Sequence, residues 1–243
     1  MSDQLLSHPD EVRLLFDAKA DGWPAKYGPH GRLAGRLVQL ADAVGRHVLP
    51  GGRVLDLGCG TGELAHYLAA CGMMVTGCDI SANMLSLARS ADPDGTARWI
   101  RLDPGWRTLP FAAGSFDAVI AASVLEYVGA PGAVLRECAR VLRPGGVVLC
   151  TVPDLTHPVR WLETAAAAAA RVRLVRAAGA GWPRLGRYLT YLRISRQRRP
   201  AGWWHDQAVQ AGLRPTAGRA GTAKRAPLRL LTLQRSGRTA ESS

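Results

Sequence analysis

Short apolar runs alternate with helix-like segments over the first two thirds of the sequence, and this alternation limits the possible folds more than any other feature. The runs are RVLDL (53–57), MVTGCD (74–79), ARWIRL (97–102), FDAVIAAS (116–123) and GVVLCTV (146–152). Near-continuous hydrophobicity in runs this short is typical of parallel strands that helices cover on both faces. The sequence therefore predicts an α/β fold, doubly wound around a mostly parallel sheet.

Helix start and stop signals lie between these runs. Ser81 is a candidate N-cap, Pro131 can open a helix, and Gly72 can end one. Residues 10–48 have helical spacing interrupted by one loop, which predicts a helical entry segment. Towards the C-terminus, RYLTYLRI (187–194) and LRLLTLQR (228–235) suggest two terminal strands.

Composition excludes several protein classes. No stretch approaches the roughly 20 apolar residues of a membrane helix, and the N-terminus MSDQLLSHPDEV lacks the basic start of a signal peptide. We therefore expect a soluble, cytoplasmic protein without a transmembrane segment. The five cysteines form no CxxC pair and have no histidine at ligand spacing, so neither a disulfide framework nor a metal site is expected.

Positive charge is concentrated in the C-terminal third. From Arg160 onward there are 17 Lys and Arg residues against three acids, a net charge of +14, so the total of +12 leaves −2 for the preceding residues. An excess of this kind is compatible with an anionic small acceptor, a nucleic acid or a membrane surface. The arginines interleave with apolar residues, as on an ordinary solvated helix face, and nucleic acid is therefore the less favoured partner.

A glycine-rich turn follows the first apolar run, where an open α/β sheet binds its ligand. Gly58, Gly60 and Gly62 lack Cβ atoms and let a ligand approach the backbone closely. A dinucleotide-binding turn has Gly or Ala where this chain has Glu63, and a carboxylate there would repel a pyrophosphate. Asp56 adds negative charge, so the turn favours a ligand with positive charge and no phosphate, such as S-adenosylmethionine (SAM).

The segment VLDLGCGTGEL (54–64) resembles the first motif of the class I SAM-dependent methyltransferases, and later segments match in order and spacing over about residues 10–155. The resemblance implies a single domain with a seven-stranded sheet under an N-terminal helical cap. Its expected parts are the cap (1–48), the SAM-binding core (49–155) and acceptor-side helices with terminal strands (156–243).

The resemblance also implies which residues bind SAM. Asp56 and the three glycines would surround the methionine end, and Asp79 would accept hydrogen bonds from the ribose hydroxyls. The remaining expected contacts are Ile80 and Met84 near adenine, Asp103 at the adenine amino group, Ser123 and Val124 beside the sulfonium, and Tyr27 over the methionine end. Core packing is an alternative for Met84, loop packing for Tyr27, and Asp103 precedes a segment two residues longer than is usual in the family. Trp106, in that segment, would stack on adenine or cover the sheet edge.

Methyl transfer needs alignment and, for an acceptor that must lose a proton, a general base. The candidates are Glu126 and Tyr127 after the fourth apolar run, His157 after the fifth, and His205 near the C-terminus. Tyr127 stands where many relatives have a histidine that, with the glutamate, resembles a metal-ligand pair, so metal dependence is not expected.

These features predict a SAM-dependent methyltransferase that modifies an O or N atom of a small biosynthetic intermediate. Two alternatives remain open. An enzyme that consumes SAM and releases methylthioadenosine would have the same glycine turn and Asp79. A nucleic-acid methyltransferase would use the basic C-terminal region, with Trp203 and Trp204 for base stacking. The sequence does not indicate an oligomeric state.

Overall fold

The structure is a computed structural model that describes residues 8–28, 30–31, 33–169, 182–216 and 227–237. Its centre is a seven-stranded sheet in the order β3-β2-β1-β4-β5-β7-β6. The strands are β1 (Arg53–Leu57), β2 (Met74–Asp79), β3 (Ala97–Arg101), β4 (Phe116–Ala121), β5 (Leu142–Pro153), β6 (Leu213–Pro215) and β7 (Leu228–Arg235).

Helices lie on both faces of this sheet and over its carboxyl edge. They are α1 (His8–Asp17), a 3-10 turn (Pro24–Lys26), α2 (Ala34–Gly45), α3 (Glu63–Ala70), α4 (Ala82–Ser90), α5 (Pro131–Val141), α6 (Pro158–Ala169), α7 (Pro183–Ile194) and α8 (Ala201–Gln210). The doubly wound fold with its N-terminal helices, as predicted from the sequence, is confirmed.

Strands β1 to β5 are parallel, and β7 runs antiparallel between β5 and β6. The strand order reverses between β1 and β4, where Asp56 pairs with Gly77 on one side and Ile120 on the other. In open α/β sheets the ligand binds beyond the carboxyl ends of the strands at such a reversal. The topology therefore places the binding site above β1 and β4.

The core has two layers because side chains alternate across the sheet. Leu55, Leu57 and Val119 pack under α5 and α8, whereas Val54 and Ile120 pack with α2 and α3 on the opposite face. Both faces are therefore covered, which explains why the strands read as almost continuous apolar runs.

The sequence prediction fails at RYLTYLRI, which forms most of helix α7 rather than a strand. Pro183 occupies the first turn, where the missing N–H costs nothing, and the chain stays helical up to Ile194. Leu192 and Ile194 bury their side chains while the opposite face stays exposed. The short strand β6 was not predicted, whereas β1, β2 and β7 agree with the sequence.

Candidate cofactor and acceptor site

The glycine turn between β1 and α3 forms the floor of the site. Gly58 has a φ of 72° and Gly62 a φ of 85°, in the left-handed region. A Cβ on Gly58 would lie 2.4 Å from Cγ2 of Val124, and one on Gly62 would lie 2.6 Å from Cη2 of Trp99. The turn is therefore held against two neighbours, and no side chain larger than hydrogen fits at either position.

Asp79 fixes the shape of this turn from the end of β2. Its Oδ2 accepts a hydrogen bond of 2.9 Å from the Gly60 backbone N–H, and its Oδ1 accepts one of 2.9 Å from the Ser81 N–H. Burial raises the pKa of the Asp79 carboxyl, although these backbone donors oppose the change. The carboxylate is thus fixed in orientation beside the turn, where Asp79 lines the cavity.

Asp56, at the end of β1, is a second carboxyl in the same place. Its exposed fraction is only 3%. Burial raises its pKa to about 7, and the carboxylates of Asp79 and Glu63 add to the effect, while the Arg36 guanidinium opposes it. A ligand that brought positive charge here would offset the desolvation of this group.

The N-terminal segment covers the glycine turn. Asp17, at the end of α1, accepts a hydrogen bond of 2.6 Å from the Ser81 hydroxyl at the start of α4. The Trp23 indole lies over Gly60, and Lys26 places Nζ 3.5 Å from the centre of the Trp23 ring. Tyr27 lines the same cavity, where burial raises its pKa to about 12. The segment is therefore placed to exclude water from this half of the site.

The Thr151 hydroxyl connects the cap to the loop after β4. It accepts hydrogen bonds from Nη2 of Arg36, at 3.0 Å, and from the backbone N–H of Ser123, at 2.8 Å. Ser123 has a φ of 58°, the one positive φ outside glycine among the described residues. The buried Nε of Arg36 has no hydrogen-bond partner within the described part of the chain. Arg36 lines the cavity, and a guanidinium there suits a carboxylate.

Most of these groups line one cavity of about 1040 Å³, whose other half is aromatic. The Phe16 and Tyr127 rings are 5.3 Å apart, Tyr127 and Tyr191 are 6.4 Å apart, and Tyr188 stacks on Tyr191 at 6.1 Å. Lys19 lies over the Phe16 and Tyr191 rings at 5.6 and 5.7 Å. The aromatic half therefore offers flat apolar walls with a cation nearby.

A buried ion-pair network lies at the end of the aromatic half. Nη1 of Arg160 donates to Oε2 of Glu163 at 2.8 Å and to the Tyr191 hydroxyl at 2.7 Å, and lies 3.7 Å from Oε2 of Glu126. Glu126 also accepts a hydrogen bond of 3.1 Å from the Ser195 hydroxyl. The side chains of Arg160, Glu163 and Glu126 are 6, 12 and 3% exposed. We refer to Glu126, Arg160, Glu163 and Tyr191 as the acceptor-side network.

Most residues that the sequence singles out line this cavity. They are Tyr27, Asp56, Gly58, Gly60, Asp79, Ile80, Met84, Trp106, Ser123, Val124, Glu126 and Tyr127. Met84 is also fully buried, so the packing and ligand interpretations both apply to it. The structure therefore places the expected cofactor residues around one volume, together with two of the base candidates.

Four candidates do not line the cavity. Gly62 packs against Trp99 behind the turn, and Asp103 is exposed beyond the end of β3. The His157 Nδ1 accepts a hydrogen bond of 3.2 Å from the Val159 N–H, so this ring caps the start of α6 instead of facing the cavity. His205 is exposed on α8. The structure thus gives none of these four a direct contact with the cavity.

Sequence reasoning missed several cavity residues that come from distant parts of the chain. Trp23, Arg36, Arg160, Glu163 and Tyr191 all line the cavity. Arg160 and Glu163 occupy one helix at i,i+3 spacing, which is also common on solvated surfaces. Their burial depends on contacts with α7. Because residues 187–194 were predicted to form a strand, these contacts could not be anticipated.

No metal centre is evident in the described ranges, where no group of three His, Cys, Asp or Glu side chains could hold an ion. Four of the five cysteines are buried, Cys71 is exposed, and all are free thiols. Among the described residues, none of the helices has both the length and the apolar character needed to cross a bilayer.

Comparison with known proteins gives matches to methyltransferases. Residues 55–150 match a family described as "Methyltransferase domain". A curated relative from Xanthomonas campestris, named ubiquinone biosynthesis O-methyltransferase, is 35% identical over 146 residues, which cover 58% of this chain and 60% of the relative. A protein of the same name from Caulobacter is 37% identical over 116 residues, 47% of this chain and 46% of that protein. The chain thus matches about half to three fifths of these relatives' length.

Solved structures share the fold over almost the whole chain. Magnesium protoporphyrin IX methyltransferase from Synechocystis, determined with SAM bound, superposes with a TM-score of 0.66 at 20% identity, covering 97% of this chain and 100% of that one. A putative methyltransferase complex with the Trm112 activator from Haloferax volcanii gives 0.65 at 21% identity, with 91 and 98% coverage. Residues 55–150 thus match the methyltransferase-domain family, and the chain shares its fold with these two solved structures.

Proposed function

We propose that this protein transfers a methyl group from SAM to an oxygen or nitrogen atom of a small-molecule acceptor, and that an aromatic hydroxyl is the favoured target. The observation that carries the proposal is the division of one cavity into a half with glycines and carboxylates and a half with aromatic walls. Its volume of about 1040 Å³ reaches the upper end of the roughly 300–1,000 Å³ of small-molecule sites. There is room for a cofactor and a small acceptor together.

The residues present fit SAM. The bare backbone at Gly58 allows close approach, and Asp56 and Asp79 supply the negative charge that a sulfonium and an ammonium group require. Arg36, which lines the cavity, would bind the methionine carboxylate. Bound SAM supplies a methyl group on a sulfonium, and the electrons of the breaking carbon–sulfur bond leave on sulfur as S-adenosylhomocysteine.

The protein's own part in the reaction is alignment and exclusion of water. Trp23 lies over Gly60 of the glycine turn, and Tyr27 and Ser123 line the cavity. The Phe16, Tyr127 and Tyr191 rings would hold a flat acceptor between them. Lys19 and Arg187 also line the cavity, which supports an acceptor with negative charge away from the reacting atom.

Two named relatives support oxygen as the target, because both are O-methyltransferases of ubiquinone biosynthesis. A nucleic-acid substrate has less support. The Trp204 side chain is 1% exposed and Trp203 packs against the core, so the pair does not form a stacking surface for bases.

A mass-spectrometric product assay tests the proposal. Purified protein is incubated with SAM, alone and with a panel of small phenols and amines, and S-adenosylhomocysteine and methylthioadenosine are quantified. We expect S-adenosylhomocysteine only when an acceptor is present, with a matching gain of one methyl mass on a phenol. Methylthioadenosine formed from SAM alone would identify the cofactor as the substrate and refute methyl transfer.

A further inference from the structure

The acceptor-side network lines the aromatic half of the cavity and comes largely from outside residues 55–150, the part that matches the methyltransferase family. Glu126 follows Ser123 by three positions in the loop after β4, while Arg160 and Glu163 belong to α6 and Tyr191 to α7. Three separate elements therefore bring charged and phenolic groups to one end of the aromatic half.

Arg160 is the organiser of this network. Its Nε donates to the Pro227 carbonyl at 2.9 Å, which fixes the guanidinium, and its Nη1 then reaches Glu163, Tyr191 and Glu126. A buried guanidinium with two carboxylates is costly unless each charge is paired. A buried network of this kind is therefore expected where the function needs a carboxylate in a cavity that excludes water.

The two carboxylates are not equivalent. Glu126 is 3% exposed, accepts a hydrogen bond from the Ser195 hydroxyl and pairs with Arg160, so its carboxylate is held in place as a counter-charge to Arg160. Glu163 lines the cavity as Glu126 does, but it is more exposed, at 12%, and its Oε2 accepts a hydrogen bond of 3.4 Å from the Tyr191 hydroxyl. The phenol oxygen of Tyr191 accepts from Arg160, and a second lone pair can accept a proton from a bound hydroxyl.

We propose that Glu163 is the general base of the reaction and receives the acceptor proton through the hydroxyl of Tyr191, with Arg160 as the positioning residue for both. This proposal rests on the proposed function. The acceptor O–H gives its proton to the Tyr191 oxygen as that residue passes its own proton to Glu163. The electrons of the O–H bond form the new O–C bond, and the proton later leaves Glu163 for solvent.

The surroundings of Tyr191 are consistent with a relay. Burial raises its pKa to about 12, with the Glu126 charge adding to and Arg160 opposing the effect, so the hydroxyl keeps its proton at neutral pH. The other charged or titratable groups around the pair are Tyr127, Tyr188, Lys19 and Arg187. A neutral phenol between a donor and a carboxylate can pass a proton on without carrying charge itself.

Acceptors of different acidity provide the test. Catechol ionises, like tyrosine, near pH 10, whereas a nitro-substituted catechol is already ionised at about pH 8 and needs no base. In Glu163→Gln we expect the rate with catechol to fall by about 10²–10⁴ and the rate with nitrocatechol to change by less than about threefold. Tyr191→Phe is expected to show the same selectivity with a smaller loss.

Matched controls remove a similar group away from the cavity. Thr190→Val deletes a hydroxyl that bonds within α7, beside Tyr191, and Asp206→Asn removes an exposed carboxylate on α8. Both should keep the wild-type rates with either catechol. Thermal melting and SAM affinity of every variant show whether the fold and the cofactor half are intact.

A binding measurement provides a readout that is independent of turnover. Calorimetric titration of nitrocatecholate, in two buffers of different ionisation enthalpy and without SAM, counts the protons taken up. The wild type is expected to take up close to one proton per bound phenolate, because Glu126 and Glu163 together exceed the charge of Arg160, and a further negative charge beside them favours retaining a proton. Glu163→Gln should take up none, and Asp206→Asn should match the wild type.

The outcomes separate the two proposals. If the wild type methylates no phenol in the product assay, the proposed function fails and the proton path fails with it. If the wild type is active but the rate of Glu163→Gln falls equally with both catechols, or falls with neither, the proposed function stands and the proton path is wrong. Equal proton uptake by wild type and Glu163→Gln would also overturn it.

Discussion

Replacing Asp56 by Asn should stabilise the protein in the absence of SAM at neutral and higher pH. The carboxyl has an ordinary pKa of 3.8 in the unfolded chain, and its burial in the fold raises the pKa to about 7. Between these values the unfolded state has released the proton and the folded state retains it. The stability linked to this group is therefore complete below pH 3.8 and is lost as the pH rises towards 7.

The size of the effect follows from the interval between the two pKa values. Each pH unit within it changes the free energy of unfolding by up to about 1.4 kcal/mol, so the full interval corresponds to about 4 kcal/mol. Asn at position 56 has nearly the same shape and does not titrate. The difference in unfolding free energy between Asp56→Asn and wild type should thus grow by about 2–3 kcal/mol from pH 5 to pH 8.

Urea denaturation at several pH values from 5 to 8 measures this difference. Carboxyls with lowered pKa values, such as Asp92 and Glu137, titrate in both proteins and cancel. Asp206→Asn, at an exposed position, provides the control and should give a constant difference. Saturating SAM should make the wild type more stable than Asp56→Asn, because the positive charge of SAM favours the ionised Asp56. Parallel stability curves for wild type and Asp56→Asn would refute the reasoning.

Three further substitutions test the cofactor half and its cap. Asp79→Ala removes the acceptor of two backbone hydrogen bonds and the expected ribose partner, and should abolish detectable SAM binding in calorimetry while the fold persists; unchanged affinity would contradict the assignment. Gly58→Ala should lower the free energy of unfolding by about 2–5 kcal/mol, against about 1–2 for Gly95→Ala, which has a similar φ but open space. Equal losses would rule out the clash with Val124. Asp17→Ala should speed SAM dissociation in stopped flow and increase hydrogen exchange over 8–28, because the hydrogen bond from Ser81 is lost. Hydrogen exchange at the wild-type rate would show that this bond does not hold the N-terminal segment in place.

The cofactor half could be predicted from the sequence because its signals are local. Strand β1, the glycine turn and α3 are consecutive, and Asp79 ends the next strand at a short, regular distance. Helix caps such as Ser81, whose hydroxyl accepts the Met84 N–H, also depend only on neighbours in the chain. Local geometry therefore specifies the turn and its carboxylates.

The acceptor half could not be predicted because it depends on tertiary packing. Residues 187–194 are a short segment with adjacent Tyr and Leu at 188–189 and 191–192, and an apolar run of this length fits a strand as well as a helix. The helix packs against α1, where Ile194 joins Val12 and Leu15, and contacts with so distant a segment are not visible in the local sequence. Arg160 and Glu126 come close only when α6 packs against the rest of the fold, so no spacing in the sequence predicts this ion pair.

The position of β7 also constrains biosynthesis. Because β7 lies between β5 and β6, the outer edge of β5 has no partner until residues 228–235 have left the ribosome. About 75 residues separate Pro153 from Leu228, which at roughly 5–20 residues per second is a delay of about 4–15 s. During that interval a long apolar strand presents unpaired backbone groups. Nascent-chain chaperones are therefore expected to be needed most in this window, and C-terminal truncation should cause aggregation before it affects cofactor binding.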